Sequence, residues 1–128
     1  MRHIIIAAML LFSITANAKP FSATVIAIVD GKTLIVKPFT KVSGVTTELL
    51  RIDLFAIRPP PANALPWGPQ TRGTLRNFAM YNGAVRCEIL KMREQSAMGI
   101  CKRENVDLSE SIIMSGYAHF DIDEDFES

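Results

Sequence analysis

Few residues in this 128-residue chain have the type and spacing to do chemistry, and most of them are arginines. Arg51 and Asp53 stand two apart in Leu50-Arg51-Ile52-Asp53-Leu54. On a strand both point to one face, where an Arg51–Asp53 ion pair is their simplest use. Arg72 and Arg76 stand four apart and share a face if their segment is helical. With Arg58 and Trp67 they are the candidates for lining a ligand-binding face, although a lone tryptophan more often packs than binds. Asp30, ahead of Gly31, is accounted for by turn formation alone. His3 lies near the N-terminus and His119 beside an acidic run, and neither is a ready general base. Met80, Met92, Met98 and Met114 have no ligand spacing and read as core filler.

The N-terminus reads as a secretory leader. Arg2 and His3 precede an apolar run over residues 4–14 that ends at Ala16-Asn17-Ala18, a small-x-small cleavage pattern. A membrane-spanning helix needs roughly 20 apolar residues, so the length and the cleavage pattern both disfavour a retained anchor. The expected division is residues 1–18 as signal peptide, 19–120 as one domain and 121–128 as an acidic, solvated tail. No membrane span is expected once the leader is removed, and the protein is expected to be periplasmic or secreted.

Of the 14 basic residues only Arg2 lies in the leader, so the remainder balances 13 basic against 13 acidic residues. That neutrality, with few aromatics, makes nucleic acid a disfavoured partner, because a phosphate-gripping protein usually carries a basic face. An envelope or extracellular ligand of unspecified kind is the expected partner. In an oxidising compartment two cysteines, Cys87 and Cys101, favour a disulfide over a metal site or catalytic thiol, since they form no C-x-x-C pair and no histidine is close in sequence.

The elements that must position these residues follow from pattern. Apolar, β-branched runs over 21–28 and 33–39 flank Asp30-Gly31 and read as a hairpin, the Asp-Gly pair tolerating the positive φ of a tight turn. A third strand is expected over 46–55. Pro59-Pro60-Pro61 ends regular pairing. A helix follows, with Pro69 in its first turn, Leu75, Phe78 and Ala79 as contacts, and Asn82-Gly83 as its stop. Strands over 84–91 and 97–102 surround a polar turn, and a register facing Lys91 with Ala97 places Cys87 directly opposite Cys101, within disulfide reach. Asp107, with Glu110 three residues on, starts a short second helix that stops at Gly116. Five strands with a helix between the third and fourth imply a β-rich α+β fold, a five-stranded OB-fold barrel with two short helices; a split α+β sandwich is the competitor.

Taken in order, these motifs resemble the thermonuclease (staphylococcal-nuclease-like) family over about residues 25–118. Asp30-Gly31-Lys32-Thr33 resembles its Asp-Gly-Asp-Thr turn, Leu50-Arg51-Ile52 its Arg-Leu strand, and Asp107-Leu108-Ser109 with Ser115-Gly116-Tyr117-Ala118 its short helix and Gly-x-Ala ending. Pro66-Trp67-Gly68 before an Arg-containing helix, and Gly83-Ala84-Val85-Arg86-Cys87 followed by Cys101, resemble exported, disulfide-containing members.

The family hydrolyses nucleic-acid phosphodiesters with a carboxylate-held calcium ion, a glutamate associated with the attacking water, and two arginines on the phosphate. A hard cation and guanidinium groups offset the phosphate's charge while a base prepares the water. Position by position, Lys32 replaces the first metal aspartate, Ala56 the second and Pro59 the glutamate, while Gln95-Ser96 stand where the Gly-Arg pair belongs. Arg51 is the remnant catalytic candidate. An alignment slip of one or two residues would give Arg58 or Arg93 the second arginine's role without restoring the carboxylates. Lys32 is expected to occupy the place of the lost cation and pair with Asp30. Losing a general base costs roughly 100- to 10,000-fold and a key charge stabiliser about 100- to 1,000-fold.

The resemblance therefore implies a catalytically degenerate domain acting as a binding module, with no cofactor. The alternative is a nuclease with a rearranged site, which would need calcium.

Overall fold

The computed structural model describes residues 19–61, 63–80 and 83–120. The expected leader, residues 1–18, and the acidic segment, 121–128, lie outside them.

Strands β1 (Phe21–Asp30) and β2 (Thr33–Pro38) form the expected hairpin, followed by β3 (Leu50–Leu54) and the two-residue β4 (Ile57–Arg58). Helix α1 (Trp67–Met80) leads to β5 (Ala84–Met92) and β6 (Ala97–Arg103), then β7 (Val106–Asp107), α2 (Leu108–Met114) and β8 (His119–Phe120). The main sheet runs β3-β2-β1-β5-β6-β7, and an additional parallel pairing of β3 with β6 closes it into a barrel of five strands, with β7 as an appendage. This is an OB-fold-like barrel with two short helices. β4 pairs with β8 as a separate ribbon.

Alternation fills the barrel. Ala23 and Val25, Leu34 and Val36, and Leu50, Ile52 and Leu54 point inward and are buried, together with Val85, Cys87, Ala97 and Cys101. Helix α1 covers β1 and contributes Leu75 and Ala79, and α2 contributes Leu108 and Ile112. Each such leucine or isoleucine contributes roughly 1.5–3 kcal/mol by leaving water. Two buried helical hydroxyls are satisfied by the turn before them: Thr71 Oγ1 donates to the Trp67 carbonyl at 2.7 Å and Ser111 Oγ to that of Asp107 at 3.1 Å.

Cys87 and Cys101 face each other across β5 and β6 and are disulfide-bonded, with Cα atoms 4.1 Å apart. The register leading to them differs from the simple one. Lys91 faces Met98 and Met92 faces Ala97, because the ladder shifts between Ile89 and Lys91, where Leu90 is the extra residue of a bulge. The cysteines lie beyond the bulge and keep their opposition.

β3 is shorter than the 46–55 expected. Residues 46–49 are exposed, and Thr47 Oγ1 donates to the Leu49 carbonyl at 2.6 Å, a local bond that competes with the ladder. The Asp30-Gly31 turn also differs in kind. Neither Gly31 nor Lys32 has positive φ, and the turn is held by Lys32 N–H donating to Asp30 Oδ1 at 2.9 Å. Gly31 is needed for space: a Cβ there would lie 2.6 Å from Thr71 Cγ2 and 2.8 Å from Pro59 Cβ. By contrast Gly83, at φ 74, and Gly116, at φ 91, follow the ends of α1 and α2 in the left-handed region that favours glycine. Asp107 caps α2, accepting from Ser109 N–H at 2.8 Å.

Candidate functional site

Barrels of this topology bind ligands on the outer face of their second and third strands, between the first hairpin turn and the turn joining the last two barrel strands. Here that face consists of β2 and β3, Lys32 in the first turn, and Arg93 in the turn after β5. Thr33 pairs with Asp53, and Asp53 with Met98 of β6, so three adjacent strands bring these side chains into one row.

The row is tied together by charge. Thr33, 2 % exposed, donates Oγ1 to Asp53 Oδ1 at 2.9 Å. Arg93 Nη1 lies 3.5 Å from Asp53 Oδ2, and its Nη2 is 3.6 Å from Met98 Sδ. The turn is fixed in turn by Arg93 N–H donating to the Ser96 carbonyl at 2.7 Å. Both oxygens of Asp53 are thus engaged by protein donors. The expected Arg51–Asp53 pair does not form. The two do share the outer face of β3, but Arg93 takes the carboxylate, and Arg51 is exposed without an ion pair among the described residues.

Lys32 is half-buried, and its backbone joins the first turn to β3 through Leu54 N–H donating to the Lys32 carbonyl at 2.7 Å. Its link to Asp30 is through the backbone N–H; the expected side-chain ion pair is not present. Ala56 adopts φ 66 as the chain turns from β3 into β4, and that turn sends Arg58 outward while Ile57 goes into the core. The positions that the resemblance assigns to metal aspartates therefore carry an ammonium and a methyl group. Among the described residues no group of three or more histidine, cysteine, aspartate and glutamate side chains could hold a metal ion.

The other candidates lie elsewhere. Arg72 is spent on architecture: its Nε donates to the Ile28 carbonyl at 2.9 Å, where the β1 ladder is irregular between Ile28 and Asp30. Arg76 is exposed one turn further along α1. Trp67, read as a packing residue, is 54 % exposed, and its ring lies 6.3 Å from that of Tyr117, whose hydroxyl bonds to Gln70 Oε1 at 3.1 Å. Two surface grooves, of about 590 and 530 Å³, include none of Lys32, Arg51, Asp53 or Arg93. Of the methionines expected as filler, Met98 is fully buried and Met80 packs on the core, but Met92 and Met114 are 41 % and 80 % exposed.

Sequence reasoning passed over Thr33 and Met98 as site neighbours and gave Arg93 a place only through an alignment slip. The available signal was pairing register: Asp53 faces residues from both adjacent strands. No protein-family model matches the chain, and no curated protein matches it. Among the described residues no helix is long and apolar enough to cross a membrane. The disulfide fits an oxidising, non-cytoplasmic location.

Proposed function

We propose that the chain is an exported, thermonuclease-like domain whose catalytic site is degenerate, and that it acts in the cell envelope as a binding module for an anionic ligand on its β2–β3 face. The observation that carries this reading is the engagement of Asp53 by Thr33 and Arg93, next to Lys32 and Ala56 at the two family metal positions. A carboxylate with both oxygens taken is poorly placed to ligate a hard cation, which needs several free oxygen donors. Lys32 and Arg51 add positive charge beside the row, so the face is suited to hold an anion and lacks the carboxylates to hydrolyse it. Export is supported by the leader-like N-terminus and by the disulfide.

The nuclease alternative draws support from one arrangement: Arg51 and Arg93 both stand on this face, as two phosphate-binding arginines would. The deciding experiment incubates oxidised protein with single- and double-stranded DNA and RNA, with calcium or with chelator, beside an Arg51→Ala control. No cleavage is expected under any condition. Calcium-dependent cutting that disappears in Arg51→Ala would replace the binding-module reading with a rearranged catalytic site.

A further inference from the structure

We propose that the groove of about 590 Å³ on the outer side of β1, β5 and β6 is a second ligand site, and that it takes a small monoanionic amphiphile, an alkyl or aryl carboxylate. The groove shares no residue with the Lys32, Arg51, Asp53 and Arg93 face, and the site stands whether or not that face binds an anion. Strand register builds it. Phe39 N–H donates to the Ser22 carbonyl at 2.9 Å, Ser22 faces Arg86 across β1 and β5, and Arg86 faces Lys102 across β5 and β6. Val85, Cys87 and Cys101, at the alternate positions, are buried in the barrel, so Arg86 and Lys102 point outward side by side, and both are exposed.

Two like charges directly opposite each other on neighbouring strands destabilise a sheet. No carboxylate is paired with either cation among the described residues. Arg86 Nη1 donates to the Ser22 hydroxyl at 3.2 Å, and Asp107, which faces Lys102 from β7, accepts from Ser109 N–H at the start of α2. Of the other charges lining the groove, Arg103 and Glu104 lie 4.0 Å apart and balance each other. That leaves Arg86 and Lys102 against Glu88, two cations against one carboxylate. A single bound negative charge neutralises the groove, whereas a dianionic phosphate would overshoot and meet Glu88.

The apolar half of the ligand follows from what lies beside the cations. Phe39 is 60 % exposed at the end of β2, and Ile100, facing Glu88, is half-buried in the groove floor. An alkyl or aromatic body laid across these two leaves water, while its carboxylate takes charge-assisted hydrogen bonds from Arg86 and Lys102. The volume falls within the roughly 300–1,000 Å³ of small-molecule sites.

The test titrates oxidised protein with octanoate, acetate and octanol, reading the backbone amides of Ser22, Phe39, Arg86, Ile100 and Lys102. Octanoate is expected to shift these amides saturably. Acetate, which lacks the apolar body, and octanol, which lacks the charge, are expected to bind at least about tenfold more weakly. No saturable shift with octanoate overturns the site; equal binding of acetate overturns its apolar half, and equal binding of octanol overturns the part of the cations. Octyl phosphate binding more tightly than octanoate would overturn the choice of a monoanion. Lys102→Gln is expected to weaken octanoate about tenfold and, by relieving repulsion from Arg86, to raise the thermal midpoint of the free protein by about 1–4 °C. Unchanged affinity, or a lower midpoint showing that Lys102 serves the fold, would overturn the assignment of this pair to a ligand.

Discussion

Arg93, in the turn after β5, closes onto Asp53 of β3, its Nη1 3.5 Å from Oδ2, while Thr33 Oγ1 holds the other carboxylate oxygen at 2.9 Å. The contact joins a loop to a strand far away in sequence and leaves the face with Asp53 matched to Arg93 and with Arg51 exposed. Asp53 is only 17 % exposed at the side chain, so its partners lose more than a surface ion pair would if it were removed. Asp53→Ala should cost about 2 kcal/mol in urea unfolding, because the buried Thr33 hydroxyl loses its acceptor and Arg93 its counter-charge. A double-mutant cycle with Thr33→Val should show coupling of about 0.5–1 kcal/mol; additive effects would mean that the hydrogen bond contributes nothing.

Gly31 packs under the start of α1. Gly31→Ala should destabilise by about 1–3 kcal/mol, since its methyl group would meet Thr71 Cγ2 and Pro59 Cβ at less than contact distance. Thr71→Ser in the same protein removes one of those atoms and should recover part of the loss. If Gly31→Ala alone melted at the wild-type temperature, the close approach would not be the reason for the glycine.

The Cys87–Cys101 bridge closes a short loop, with a sequence separation of 14. Replacing both cysteines by alanine should lower stability by about 3 kcal/mol, largely through the unfolded chain's regained freedom. Equilibrium denaturation of the double variant measures it, and a loss below about 1 kcal/mol would indicate that the β5–β6 hairpin is already constrained without the bond.

Asp107→Ala should cost about 1 kcal/mol by leaving the Ser109 N–H at the start of α2 without its side-chain acceptor. Asp107→Asn should restore most of that, since the bond needs an oxygen and not a charge. Thermal unfolding of the pair separates capping from simple electrostatics.

Arg51 offers the converse case. It is exposed and has no ion pair among the described residues, so Arg51→Ala should change stability by no more than about 0.5 kcal/mol. Under the proposed function the same change should weaken polyphosphate binding several-fold, measured by calorimetric titration at low salt; unchanged affinity would take Arg51 out of the binding face.

Much of the barrel was legible because the information is local. Alternation in Leu50-Arg51-Ile52-Asp53-Leu54 shows which side chains face the core, Asp107 and Gly116 mark the limits of α2, and the facing cysteines follow from a hairpin register even though a bulge intervenes. Where local bonds competed, the pattern misled: β3 loses residues 46–49 to the Thr47–Leu49 bond, and Met92 and Met114 lie at the surface although their composition suggests filler.

What the sequence by itself determined is therefore the inventory and the periodicity: five barrel strands, two helices, a cysteine pair, and a lysine and an alanine where the resemblance places carboxylates. Tertiary structure alone decided who meets whom. Asp53 pairs with Arg93 and not with Arg51 two residues away, because neighbours on one strand point outward side by side while closure of β3 against β6 brings a distant turn over the carboxylate. Gly31 is a glycine because α1 and Pro59 close over it, a contact that no spacing along the chain encodes.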